Sequence, residues 1–213
     1  MTGQLEQDRV DPAHAEGVAF GRLLPWLLTV GGALGLIAAL DLTYERLQLA
    51  LDPSYVPTCS INPLLDCGAV AGSDQASAFG DFPNILIGVV SFSVVTTLGV
   101  LMLLGVRLPR PVRWGLLVGA LLGAGFVHWL VDVSVFRLGV LCPYCMVVWA
   151  VTIPIAWYLG LAAAADGLLG PRLSRSGAVR TLLLVHALPV LLWYAAVAAL
   201  VGVVFAEQWA AMF

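Results

Sequence analysis

The chain has 213 residues, of which 61% are hydrophobic and 11% charged, with a mean hydropathy of +0.96. A soluble domain of this length has no use for that much apolar surface, so the composition excludes one and points to a protein embedded in lipid. The formal net charge of −3 is small and says nothing about nucleic acid; no nucleic-acid partner is expected.

In chain order, residues 1–21 are polar and acidic (Glu6, Asp8, Asp11, Glu16) and lack the basic start of a secretory signal. They read as a disordered cytoplasmic tail before an uncleaved first span. Five apolar runs follow, at 23–42, 84–104, 114–136, 142–164 and 181–205. Each is long enough to cross about 30 Å of hydrocarbon. The fold expected is therefore all-α, an integral membrane protein of five transmembrane helices. Glycines at four-residue spacing (Gly31 and Gly35; Gly115, Gly119 and Gly123) read as helix-packing faces. Pro154 and Pro189 are expected to bend the fourth and fifth spans.

The polar stretch 44–83 separates the first two runs and holds Cys59 and Cys67. Within it, 67–79 reads as one short amphipathic helix, either a cap over the mouth of the bundle or a plain surface helix. The other cysteines stand in Cys142-Pro143-Tyr144-Cys145, at the start of the fourth run. There Cys142 is the expected N-cap and Pro143 the first helical residue, where a missing N–H costs nothing. The partial positive charge of a helix start favours thiolate, the reactive form of cysteine. Sulfurs one turn apart suit a dithiol that opens and closes. Four cysteines allow three pairings. Two static staples are one alternative, but a C-x-x-C bridge closes too small a loop to remove much chain entropy. Zinc is another, but the Cys59–Cys67 spacing is unlike a zinc knuckle. No metal is expected.

Arginine placement sets orientation. Arg9, Arg22, Arg107, Arg110, Arg113, Arg172, Arg175 and Arg180 fall on one side, and only Arg46 and Arg137 on the other. The positive-inside rule then puts the N-terminus in the cytoplasm and all four cysteines on the extracytoplasmic side, where disulfides persist. His14 lies in the tail. His128 and His186 lie within spans, and His128 is expected to make an interhelical hydrogen bond. Asp132 reads either as a proton-relay carboxylate or as a hydrated group near a span end.

The string Cys59-Ser60-Ile61-Asn62-Pro63-Leu64-Leu65-Asp66-Cys67-Gly68, then Ser73, Phe79-Gly80, Pro83-Asn84 with Gly88, and finally Cys142-Pro143-Tyr144-Cys145, resembles the vitamin K epoxide reductase family. The resemblance covers roughly residues 20 to 165. It implies a catalytic four-helix bundle over 22–165 around a quinone site, the 44–83 loop capping it from outside. Residues 166–213 would then be a basic cytoplasmic loop and a fifth span. By position, Cys142 and Cys145 match the pair facing the quinone, and Cys59 and Cys67 the shuttle pair. Ser73 matches the serine of the cap helix, Phe79 lies in the same cap, and Asn84 matches the asparagine at the quinone carbonyl. Trp149 stands where the vertebrate enzyme has tyrosine, either a quinone contact or core packing. The activity implied is a membrane thiol oxidoreductase passing electrons to menaquinone or ubiquinone. With no fused thioredoxin-like domain in this sequence, the expected electron donor is a separate thioredoxin-fold, DsbA-like protein on the outer face. A quinone-epoxide reductase of the same fold and a non-enzymatic, disulfide-stapled membrane scaffold are the alternatives.

Overall fold

The structure is a computed structural model and describes residues 20–77, 80 and 82–210. The expected tail at 1–19 and Phe79 lie outside the described residues. Helix α1 is Leu23–Leu51, α2 Cys67–Ala71, α3 Asn84–Leu103, α4 Arg110–Asp132 and α5 Pro143–Ala165. Four short or medium helices follow: α6 Pro171–Ser174, α7 Gly177–Leu184, α8 Leu188–Val204 and α9 Ala206–Ala210. Leu65 and Leu141 form an isolated parallel bridge.

The chain is all-α, and four helical stretches are long and apolar enough to cross a membrane: Leu23–Leu51, Asn84–Leu103, Arg110–Leu138 and Pro143–Ala165. The expected fifth span is instead two helices, α7 and α8, bent by 65°. The break falls at 185–187, where Pro189 has no N–H to give to the Val185 carbonyl. It is pinned from α5: the Trp157 indole donates to the His186 carbonyl at 2.8 Å, and the Tyr158 hydroxyl meets His186 Nδ1 at 2.7 Å.

Three other boundaries differ from the sequence expectation. The first span does not stop at 42. Tyr44-Glu45-Arg46-Leu47-Gln48-Leu49 contains no breaker, so α1 runs on until Asp52, which the following Pro53 holds extended at φ −137° and ψ 104°. Its 29 residues measure about 44 Å, more than the hydrocarbon needs. The outer loop therefore begins at 52 rather than 44. The expected helix over 67–79 is also broken: α2 ends at Gly72, and a separate 3₁₀ turn covers Asp74–Ser77. Finally, α4 starts at Arg110, inside the expected turn, and ends in a π-helical turn, Val133–Leu138, stopped by Gly139 at φ 66°.

The spans form a row in which α1 packs on α3 and on α5, and α5 packs on α4. The α1–α3 seam is the closest. A Cβ on Gly35 would lie 2.5 Å from the Phe92 ring, and one on Gly99 would lie 2.6 Å from the Thr29 nitrogen. The glycine face expected on the third span is not a packing face: Gly115 and Gly119 meet nothing, and only Gly123 approaches α5, at Thr152. Leu116, Leu117 and Ala120 are the residues of this stretch of α4 that are buried instead.

Pro154 lies within α5 and leaves the Ala150 carbonyl without its helical donor. The Tyr194 hydroxyl of α8 fills that role. Nearby, the Trp193 indole donates to His128 Nε2 at 3.0 Å while His128 Nδ1 meets the Ala124 carbonyl at 2.7 Å. An indole only donates, so Nε2 is the acceptor and the proton is on Nδ1. His128 thus makes the interhelical bond expected of it. Asp132 pairs with Arg137 at 3.2 Å, and both side chains are exposed. At the other end of the row Arg113 meets Asp166 at 2.6 Å. This bond places the two arginine-rich segments together, at the end opposite the cysteines.

The seam yields a paired prediction. Gly35→Val should destabilise the detergent-solubilised protein by about 1–3 kcal/mol, the usual cost of overpacking, and lower its thermal midpoint. Gly119→Val should leave the midpoint near that of the parent. Equal midpoints for the two variants would contradict the seam.

Candidate redox site

The loop after α1 is fastened at both ends. Glu45, only 3% exposed, accepts a hydrogen bond from the Tyr55 hydroxyl at 2.8 Å, from the Thr58 N–H at 3.3 Å and from the Thr58 hydroxyl. A buried carboxylate is tolerable only when its oxygens are satisfied in this way. Its bonds fix the backbone one residue before Cys59. Beyond Cys59, the Asn62 side chain accepts from the Leu64 and Leu65 N–H groups at 2.9 and 2.8 Å, an Asx-type turn that reverses the chain. Leu64 then accepts from the Leu141 N–H at 2.8 Å, and the Leu141 carbonyl accepts from the Asp66 N–H at 2.9 Å. Asp66 caps α2 through its side chain, which accepts from Gly68 at 2.8 Å and Ala69 at 3.3 Å. The Ser60 hydroxyl donates to the same Asp66 oxygen.

This two-bond bridge to Leu141 joins the loop to the residue preceding Cys142. Cys67 and Cys142 consequently lie side by side in a fully buried spot, their sulfurs 3.4 Å apart. Cys67 is disulfide-bonded to Cys59, with Cα atoms 5.6 Å apart. Cys142 and Cys145 are free thiols. Cys142 is the N-cap of α5, and its sulfur accepts the Cys145 N–H at 3.4 Å. The Cys145 thiol, with the backbone N–H groups of Cys145 and Tyr144, holds Cys142 below the usual thiol range, outweighing burial and the Asp66 charge. The sulfur nearest the disulfide is thus the one that most readily becomes a thiolate.

Cys145 faces the other way, onto a small cavity of about 30 Å³. Ser73, Gln75 and Ala76 of the cap form one wall, and Ser134 and Leu138 of the π-helical turn form another. The Ser73 hydroxyl donates to the Val70 carbonyl at 2.8 Å. Asn84 does not line the cavity. Its Nδ2 donates to the Gln75 carbonyl at 2.6 Å, tying the cap to the start of α3. Arg46 does the same from α1, reaching the Ala76 carbonyl and the Ser77 hydroxyl at 3.2 Å each. Trp149, one turn below Cys145, is buried among Leu64, Val127, Val131, Leu141 and Phe205, and its indole N–H has no partner among the described residues. The structure therefore gathers the four cysteines and Ser73, places Asn84 behind the cap, and sets Trp149 in the core beneath. Among the described residues no cluster of three metal-ligating side chains occurs.

Membrane-length helices that carry two cysteine pairs in contact at one end define a membrane oxidoreductase. The family model described as "Vitamin K epoxide reductase family" matches residues 26–159, and the chain belongs to that family. No curated protein matches the chain significantly.

The sequence pattern gives Arg46 a place in the charge count alone and gives neither it, Glu45 nor the Leu141 bridge an anchoring role. Hydropathy falls at Tyr44, which puts Glu45 and Arg46 in the polar stretch. The bridge is made by backbone atoms, which leave no residue-type signal. A carboxylate and a guanidinium on consecutive residues at the end of an apolar helix were the available clue to the anchors.

Two outcomes follow from this geometry. Glu45→Gln keeps the shape but weakens charge-assisted bonds, and should cost about 1–3 kcal/mol, seen as faster hydrogen exchange at residues 55–60. Unaltered exchange there would remove Glu45 from its anchoring role. Because Cys142 titrates below an ordinary thiol, formation of the Cys67–Cys142 bond should level off at lower pH than exchange by a free thiol. Cys145→Ala removes the largest stabilising contact and should move that midpoint upward, as read by acid-quenched trapping of the bond. A midpoint that stays put would show that Cys145 does not tune its neighbour.

Proposed function

We propose that the chain is a membrane thiol oxidoreductase that reoxidises a separate extracytoplasmic thioredoxin-fold, DsbA-like protein and passes the electrons through its two cysteine pairs to a membrane quinone. The observation carrying this reading is the 3.4 Å separation of the Cys67 and Cys142 sulfurs, which is the contact that exchange between the pairs requires.

The steps balance as follows. A thiolate of the partner's dithiol attacks Cys59, and the Cys59–Cys67 bond breaks, releasing Cys67 as thiolate. The partner's second thiolate then attacks the mixed disulfide, which frees Cys59 and leaves the partner oxidised. The Cys67 thiolate attacks Cys142 of a Cys142–Cys145 disulfide, forming Cys67–Cys142 and releasing the Cys145 thiolate beside the cavity. Cys59 then attacks Cys67, which restores Cys59–Cys67 and leaves Cys142 and Cys145 reduced, the state seen here. Two electrons and two protons have then passed inward, and the quinone, when bound, is the group that takes them up.

The residues that would hold it are supported by chemistry more than by volume. The Trp149 N–H is a buried donor without an acceptor among the described residues; it lies in the core beneath the cavity rather than in its lining, so a ring carbonyl would supply the acceptor only by reaching past Cys145. The cavity of about 30 Å³ has room for about one water, so a ring enters only if the cap wall gives way. Asn84 and Arg46 fasten that wall from α3 and α1, and Asn84 is assigned here to closing the site around the ring, with Ser73 lining it. The cysteine end lies opposite the arginine-rich segments. With the positive-inside rule this supports an N-terminus in the cytoplasm and cysteines outside.

The test is reconstitution with a reduced thioredoxin-fold donor and a soluble quinone, following quinone absorbance. Cys145→Ala should abolish quinone reduction by any donor. Cys59→Ala should block the protein donor yet leave most of the rate with a small dithiol. Full turnover by Cys145→Ala, or equal loss with both donors in Cys59→Ala, would overturn the assignment.

A further inference from the structure

The buried and half-buried hydroxyls of the spans have a common habit. Thr29, Thr43, Ser93, Thr96 and Thr152 each donate to the carbonyl four residues back, at 2.7–2.9 Å. This is the usual way to satisfy such a group where water is absent. Ser134 departs from it. It is 3% exposed, lies in the π-helical turn Val133–Leu138, and its hydroxyl makes no hydrogen bond among the described residues. It lines the cavity that Cys145 also lines. Turns of this kind occur in helices where a side chain must be re-aimed, frequently at functional sites.

The other polar groups on that cavity are already committed or lie at its rim. The Ser73 proton is given to the Val70 carbonyl, and the Gln75 carbonyl is taken by Asn84. The Gln75 side chain belongs to a half-buried residue of the cap. Ser134, a buried residue, presents the hydroxyl left open to the space beside the Cys145 sulfur. An unpaired hydroxyl in such a place costs free energy unless something accepts its proton.

The geometry points to Ser134 as a binding residue for the electron acceptor, its hydroxyl hydrogen-bonded to a ring oxygen and holding the ring against Cys145. This rests on the function proposed above and adds a contact from the π-helical turn that ends α4, an element that carries no cysteine. The ligand class is an aromatic or quinonoid ring bearing a carbonyl or hydroxyl oxygen. An aliphatic chain alone gives the hydroxyl nothing to bond.

The test uses the full chain in detergent, fully reduced, with the hydroquinone form of a short-chain ubiquinone as the probe, since it cannot draw electrons from the thiols. Protection of Cys145 from maleimide is measured against probe concentration by mass spectrometry. Ser134→Ala should raise the half-protecting concentration about fivefold, the worth of one hydrogen bond, while Ser134→Thr should stay within about twofold. Thermal midpoint, and reduction of the Cys59–Cys67 disulfide by a small dithiol without any acceptor, should be unchanged in both. In steady-state assays the alanine variant should show a raised KM for quinone with kcat little altered. If Ser134→Ala protects and turns over like the parent, Ser134 is not a contact and the oxidoreductase reading survives. If the parent is neither protected by the probe nor able to reduce quinone, both readings fail together.

Discussion

The site depends on two backbone hydrogen bonds. Leu141 gives its N–H to Leu64 and takes one from Asp66, and with those bonds the distant halves of the redox apparatus are brought into register. Cys67 follows Asp66 and Cys142 follows Leu141, so each sulfur is one residue from a fixed backbone atom. A parallel bridge sends both chains onward in the same sense, which is why α2 and α5 both start beside it. The sulfurs at their first turns then meet where two helix starts add their partial charges. A side-chain contact would not hold position this tightly, because each rotatable bond adds a further choice of rotamer.

Around that bridge two sets of side-chain bonds hold two parts of the lobe. Glu45 and Asp66 fasten the loop on either side of Cys59 through backbone and hydroxyl groups. Asn84 and Arg46 tie the cap beyond α2 to α3 and α1 through carbonyls and one hydroxyl. The first set keeps Cys67 beside Cys142, and the second holds the wall that covers the cavity beside Cys145. The exchange proposed above needs the first to stay, and the ring proposed to enter needs the second to yield.

Much of this was legible in the chain because lipid imposes simple rules. Apolar runs marked the four long helices, and the proline after Cys142 marked the start of α5. The order of a spaced cysteine pair followed by C-x-x-C carried the family. What escaped did so for identifiable reasons. Hydropathy reports where hydrocarbon ends, whereas helix propensity decides where a helix ends, so the apolar run stops at Leu42 while α1 continues to Leu51. Gly72 and Ser73 split the cap although its polar and apolar faces alternate as one helix. Pro189 was expected to bend the last span. The sequence did not show that Trp157 and Tyr158 would hold His186 at an open break. Gly115 and Gly119 have the spacing of a packing face but no helix against them, since spacing says nothing about which side a neighbour occupies. The π-helical turn around Ser134 has no residue signature at all.

The overlong α1 has a mechanical meaning. Its last two turns form a post beyond the apolar run, and Glu45 and Arg46 project from that post toward different parts of the cysteine-bearing lobe: one toward the segment entering Cys59, the other toward the cap. Adjacent residues on a helix are turned by about 100° and separated by about 1.5 Å along its axis. Insertion of a single residue into the membrane part of α1 would therefore lift and swing both brackets at once, leaving the spans intact while the cysteine-bearing lobe lost its bearings. The length of this helix acts as a gauge block: it sets how far beyond the apolar run of α1 the sulfurs ride.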